Sequence, residues 1–198
     1  MYSLNKGIIL NSYNYSDADK IFKIFTEELG IITVLGKGVR KINSKRGGLL
    51  DTLNFISFKA YQKKDFYYLT ELKTLNNFKK IKSNLALSSW SFFILEVTSL
   101  LVPEHQKSPY IFSKLKDTLL SLEKKPNKRT IYKFLYFLIE NEGYWSNTYY
   151  LTNPYLKKIF SNSKVSPKEQ KDIDLFFITK IKEIAEKDLN SLLLLKSI

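Results

Sequence analysis

The hydrophobic period of this chain changes once, near residue 76, and that change limits the folds open to it more than any single motif does. Before it, short runs rich in Ile, Phe, Tyr, Val and Thr alternate with polar or glycine-containing turns. The runs are Lys6–Leu10, Lys20–Thr26, Ile31–Leu35, Leu53–Tyr61 and Phe66–Leu72, a composition and spacing that predict β-strands. Asn14-Tyr15-Ser16-Asp17 and Lys63-Lys64-Asp65 read as turns between them. Strands this short and this closely spaced predict a small closed sheet. Lys20–Thr26 carries Phe22 and Ile24 on one face, with Ile21 and Phe25 on the other. One face can fill a barrel while the other packs on a second unit. Gly36 and Gly38 mark a bulge or a barrel corner.

After the change the period is helical. Leu87, Trp90, Ile94, Val97 and Leu101 fall on one stripe, and Pro103 ends that segment. Ile111, Leu115, Leu119 and Leu122 make a second helix. Ile131, Phe134, Leu135, Leu138 and Ile139 make a third, stopping at Gly143. Ser166-Pro167-Lys168-Glu169 has the form of a capped helix start, with Glu placed to complete a capping box. Ile173, Phe176, Phe177, Ile181 and Ile184 then line the late helix it opens. The expected fold class is α+β, with a β domain over 1–76 and an all-α domain over 77–198. No flexible linker separates the halves, so close packing is expected.

Between the third and fourth predicted strands lies Gly36-Lys37-Gly38-Val39-Arg40-Lys41-Ile42-Asn43-Ser44-Lys45-Arg46-Gly47-Gly48, which holds five basic residues and no acid. Lys37, Arg40, Lys41, Lys45 and Arg46 can each neutralise a phosphate, and every such contact adds to a salt-dependent affinity. The other reading is an idle solvated turn. The net charge of the chain is +13, from 32 basic and 19 acidic residues. That excess fits an anionic partner, nucleic acid or an anionic membrane, or simply a Lys-rich basic protein. Phe55, Phe58, Tyr61, Phe66, Tyr67 and Tyr68 lie on nearby strands, where rings are core or stack on unpaired bases. Tyr61 and Tyr67, beside charged turns, are the stacking candidates.

The side chains an enzyme needs are sparse. There is no cysteine, which removes disulfides, thiolate zinc sites and cysteine nucleophiles together. The single histidine, His105, follows Pro103-Glu104 in a turn between helices and reads as a solvated loop residue. The carboxylate pairs Asp17/Asp19 and Glu27/Glu28 read as solvated charge. Gly30 to Gly38 departs from a P-loop, with five residues between Gly30 and Gly36 and no Ser or Thr after Lys37. No catalytic residue, cofactor or metal is expected. Nor does any segment read as a membrane span, because Leu85–Val102 is broken by serines and Glu96. The chain reads as a cytoplasmic, nucleoid-associated binder.

Five small strands with basic loops and aromatics describe an OB-fold barrel, a frequent single-strand binder. Gly7-Ile8-Ile9-Leu10, then Tyr15-Ser16-Asp17-Ala18-Asp19-Lys20-Ile21, then Phe25-Thr26-Glu27-Glu28-Leu29-Gly30 resembles the opening of the RecO family of bacterial recombination mediators. Lys37-Gly38-Val39-Arg40-Lys41 through Ser44-Lys45-Arg46-Gly47-Gly48 is similar to that family's next segment, and Glu142-Gly143-Tyr144 to the end of one of its helices. The resemblance implies an N-terminal OB-fold and a C-terminal helical domain. It also implies binding of single- and double-stranded DNA and annealing of complementary strands. Further implied are contact with the acidic C-terminal tail of single-stranded DNA-binding protein (SSB), partnership with RecR, and help in loading RecA onto SSB-coated DNA. Carried over by position, Lys37, Arg40, Lys41, Lys45 and Arg46 fall in the DNA-contacting segment. Many family members carry a four-cysteine zinc motif after the Gly-Tyr position, and this chain does not.

An acidic, apolar-tipped peptide such as that tail needs an apolar groove with a basic rim. Lys124, Lys125, Lys128, Arg129 and Lys133 cluster at the start of the third helix near Phe134 and Phe137. Arg129 and Lys133 are the candidate rim, and the plain reading is a charged, solvated helix start. The competing functions are an RNA-binding OB-fold protein and a protein-interaction scaffold.

Overall fold

The computed structural model describes residues 3–41, 43–44, 47–64, 66–161, 163–187 and 189–195. Strands β1 (Ser3–Asn14), β2 (Lys20–Thr26), β3 (Gly30–Gly36), β4 (Phe55–Lys63) and β5 (Phe66–Asn76) form a closed barrel in the order β1-β2-β3-β5-β4. All neighbours are antiparallel except β3 and β5, which close the barrel in parallel through Val34↔Tyr67 and Leu35↔Tyr68.

The alternation read in Lys20–Thr26 decides which face goes where. Ile9, Phe22, Ile24, Ile32, Val34, Ile56, Phe58, Ala60 and Leu69 point inward and fill the barrel. Ile8, Leu10, Phe25 and Ile31 point outward into a second core shared with the helices. The barrel is therefore apolar on both faces along β1–β3, as a sheet covered on both sides must be.

Among the described residues, seven α-helices follow: α1 (Lys79–Lys82), α2 (Leu85–Leu101), α3 (Pro109–Lys124), α4 (Lys128–Asn141), α5 (Tyr149–Thr152), α6 (Pro167–Ala185) and α7 (Leu192–Leu195). Helix α2 is central, with Phe93, Ile94, Leu95 and Val97 fully buried. Its polar residues are accommodated locally. The hydroxyls of Ser91 and Thr98 donate to the carbonyls of Leu87 and Ile94 at 2.8 and 2.7 Å, so no buried hydroxyl there lacks an acceptor. Asn84 caps the start of α2 through the Leu87 N–H at 2.9 Å. Helix α6 opens with the capping box read at Ser166 and Glu169.

The segment after Gly143 has no cysteine to hold zinc. Aromatic rings fasten it instead. Trp145 meets Tyr136 at 4.5 Å, Tyr149 at 5.4 Å and Phe176 at 6.0 Å between centroids, and Phe160 meets Tyr136 at 4.6 Å. These contacts tie 144–160 to α4 and α6. Among the described residues, no helix is long and apolar enough to cross a membrane.

Candidate nucleic-acid interface

Strand register brings three loops to one end of the barrel. Asn14 pairs with Lys20, Lys20 with Gly36, Val34 with Tyr67 and Lys63 with Phe66. The β1–β2 turn, the basic loop after β3 and the β4–β5 turn are thus neighbours.

The first part of the basic loop is fastened to the β1–β2 turn. The Gly38 N–H donates to Asp19 Oδ1 at 2.8 Å, and the Arg40 N–H donates to the Ala18 carbonyl at 3.0 Å. Arg40 Nη1 donates to the Ser16 carbonyl at 2.8 Å. Between these ties Val39 turns inward and plugs the barrel, 4% exposed. That plug needs Gly36, where a Cβ would lie 2.8 Å from the Phe22 ring and 3.0 Å from Val39 Cγ1. Gly38 takes a positive φ of 66° at the corner. The result is a loop whose backbone is fixed while Lys37, Arg40 and Lys41 face solvent. A fixed, outward-facing cationic row can hold a phosphate backbone with little ordering cost. Lys45 and Arg46 lie outside the described residues.

The aromatic candidates separate by face. Tyr67 shares its face of β5 with Leu69, and its half-buried ring packs on the barrel interior. Tyr61 lies opposite Tyr68 across β4 and β5, and the two rings stack at 5.3 Å with 14° between planes. Lys37 Nζ sits 5.5 Å over the Tyr68 ring, close enough for a cation–π contact. Phe66, one step along the same face, meets the exposed ring of Tyr15 from the β1–β2 turn at 6.4 Å. Reading the alternation outward from Leu69 would have assigned Tyr68 and Phe66 to the outer face. Nearness to a charged turn selects Tyr67 instead.

OB-folds commonly bind ligands on the face of strands 2 and 3. Here helices cover it. Phe25 packs edge-on against Phe112 of α3 at 5.4 Å. Lys23 pairs with Glu104 at 2.7 Å and donates to the Ser99 carbonyl at 3.3 Å. The His105 N–H donates to the Ile31 carbonyl at 3.0 Å, which places His105 in an exposed connection lying along β3. Polar contact with a ligand is left to the loop end and to the β4–β5 side.

Arg129 and Lys133 lie one turn apart on α4 but face different tasks. Arg129 donates from Nη1 to the Ser161 carbonyl at 2.8 Å and from Nη2 to the Ser163 carbonyl at 2.5 Å. Its guanidinium thereby fastens Ser161 and Ser163 to the start of α4. Lys133 is exposed. Phe134 is fully buried, and half-buried Phe137 meets Tyr110 edge-on at 5.1 Å with Lys114 over its ring at 5.6 Å. Among the described residues, no group of His, Cys, Asp and Glu is placed to hold a metal ion.

Residues 1–78 match the sequence profile of the family described as Recombination protein O N terminal. A DNA repair protein RecO of Dehalococcoides mccartyi is 28% identical over 163 residues, which cover 82% of this chain and 64% of that protein. The DNA repair protein RecO of Caldicellulosiruptor saccharolyticus is 29% identical over 64% of this chain and 52% of its own length. That of Mycoplasma capricolum is 30% identical over 67% of this chain and 55% of its own length. The chain thus spans between about half and under two thirds of the length of these relatives.

Proposed function

The chain belongs to the RecO family, and from that premise we propose that it is a non-enzymatic recombination mediator in DNA repair. On this reading it binds single- and double-stranded DNA and anneals complementary strands. With RecR it helps load RecA onto SSB-coated DNA in the cytoplasm, at the nucleoid. Residues 1–76 form the nucleic-acid-binding unit and 77–198 the helical unit.

The observation that carries the reading is the pinned loop at the end of the barrel that Val39 plugs. Its backbone is held by Asp19 and Ala18 and the Arg40 guanidinium by the Ser16 carbonyl, while Lys37, Arg40 and Lys41 are exposed. Binding there is electrostatic and blind to sequence, because phosphates are the groups contacted. Bases of the held strand stay available to a complementary strand, which annealing requires. Lys45 and Arg46 extend the same cationic row in sequence. Tyr61 stands beside it as a stacking residue.

The SSB tail would dock on the helical unit. Its acidic residues would meet Lys133 and its apolar tip the rings of Phe137 and Tyr110, which meet edge-on. Arg129 borders that surface but already holds the Ser161 and Ser163 carbonyls.

The test is the annealing rate of two complementary oligonucleotides coated with the cognate SSB, with and without this protein. The expected result is acceleration that disappears when the SSB tail is deleted. No acceleration, together with tight binding to structured RNA, would replace this reading with an RNA-binding one. No nucleic-acid affinity at all would leave a protein-interaction scaffold.

A further inference from the structure

We propose that the outer face of β5 at the loop end of the barrel is a stacking site for unpaired nucleobases, built from Tyr15, Phe66 and Tyr68 with Lys37 beside it. This inference rests on the phosphate-holding role of the neighbouring loop and names what that site recognises.

The barrel core does not require these rings. Tyr67 and Leu69 turn inward and close the interior, whereas Phe66 and Tyr68 turn the other way. Tyr15 is 58% exposed on its turn, where it buries little apolar surface for the fold. Its contact with Phe66, at 6.4 Å and 50°, joins the two loops that frame this end. Tyr68 is held upright by its stack on Tyr61. The rings form a fixed aromatic ledge rather than a scatter of surface residues.

Spacing sets the kind of ligand. Phe66 and Tyr68 are two residues apart on one strand, so their positions differ by about 6.6 Å. Successive bases in a duplex strand are only about 3.4 Å apart. Neighbouring bases can occupy both rings only when unstacked from each other, a condition that a single strand meets and a duplex does not. Tyr61 covers one face of Tyr68 and Lys37 Nζ lies 5.5 Å over the ring, so a base stacking on Tyr68 displaces the flexible ammonium towards the adjoining phosphate. Stacking uses the face common to all bases, so the site is tolerant of sequence.

The alternative location is closed. Phe25, Ile31 and Lys23 on the β2–β3 face are engaged by the helical half, which directs a strand to this end.

The experiment compares the full chain's affinity for a labelled oligothymidine with its affinity for an abasic oligonucleotide of equal phosphate number. The abasic strand keeps every charge and removes every base. The native protein should bind oligothymidine at least about fivefold more tightly. A variant with Tyr15→Leu, Phe66→Leu and Tyr68→Leu keeps apolar volume but removes these three rings, and should lose most of the preference for oligothymidine while its abasic affinity is unchanged. Arg40→Ala with Lys41→Ala should weaken both probes and keep the preference. Equal affinity of the native protein for the two probes would overturn the stacking site while leaving the phosphate reading intact. A leucine variant that retains the preference would overturn the choice of rings. Failure to bind either probe would overturn the phosphate reading and this inference with it.

Discussion

Phe25 of β2 meets Phe112 of α3 edge to face, with ring centroids 5.4 Å apart and planes at 90°. Both are buried, at 0 and 1% exposure. The outer wall of the barrel is therefore part of the helical core, and neither surface is complete without the other. Phe112→Ala should cost about 3–5 kcal/mol, the range for a buried Phe truncated in a packed core. Urea unfolding followed by circular dichroism checks this. The strand and helix signals should still fall together. Loss of the helix signal alone would mean that the two halves do not share their stability.

Gly30 lies hard against the backbone of the chain that leads into α3. It has a positive φ of 70°, and a Cβ there would lie 2.2 Å from the Gln106 carbonyl oxygen. Gly30→Ala combines backbone strain of about 1–3 kcal/mol with a clash against backbone that cannot move freely. The expected outcome is a lower Tm and faster amide exchange near His105, whose N–H bonds to Ile31. A variant as stable as the native protein would contradict the close approach.

Tyr132 links stability to alkaline pH. Its side chain is buried, and its hydroxyl donates to Asp174 Oδ1 at 2.5 Å while Lys128 holds Oδ2 at 2.5 Å. Burial first, and then the bond to Asp174, push the Tyr132 phenol well above its ordinary value. Above about pH 10 the unfolded chain releases this proton while the folded chain keeps it. The native state then binds more protons, and stability falls as pH rises. Below that pH both forms are protonated and this group adds no slope. Tyr132→Phe should have a shallower alkaline decline in urea midpoint than the native protein. Parallel declines would show that Tyr132 is not the group responsible.

Arg129 and Lys133 should separate by phenotype. Arg129→Ala removes two charge-assisted hydrogen bonds to Ser161 and Ser163 and should lower stability by about 1–3 kcal/mol. Lys133 is exposed, so Lys133→Glu should leave Tm unchanged while weakening affinity for an SSB-tail peptide. Isothermal titration with that peptide, beside thermal unfolding, reads both. Unchanged peptide affinity in Lys133→Glu would remove Lys133 from the proposed rim.

Much of the architecture is legible in the sequence because the barrel is apolar on two faces and the helices on one stripe. Phe22 and Ile24 against Phe25 announce both an inside and a covered outside, and the structure places them so. Strand ends are less legible. β1 runs from Ser3 to Asn14, beyond the apolar run Lys6–Leu10, because polar residues at a barrel rim keep the ladder without a hydrophobic signal. The short helices α1, α5 and α7 have four residues each and leave too little periodicity to read. At the site, the loop's cations are plain in the sequence, whereas its anchoring is not. Nothing local to Gly38 and Arg40 tells that Asp19, Ala18 and Ser16 will receive their hydrogen bonds. Arg129 is similar, since its acceptors lie 32 and 34 residues away.

The most direct test of the account is the salt dependence of single-stranded DNA affinity, native protein against Lys37→Ala/Arg40→Ala/Lys41→Ala. Each phosphate contact contributes about 0.7 to the slope of log affinity against log salt concentration, so losing three should flatten it by about 2. The account predicts weaker binding across all sequences together with that flatter slope. An unchanged slope in a folded variant would contradict it, because the loop at the barrel end would then not be where DNA is held.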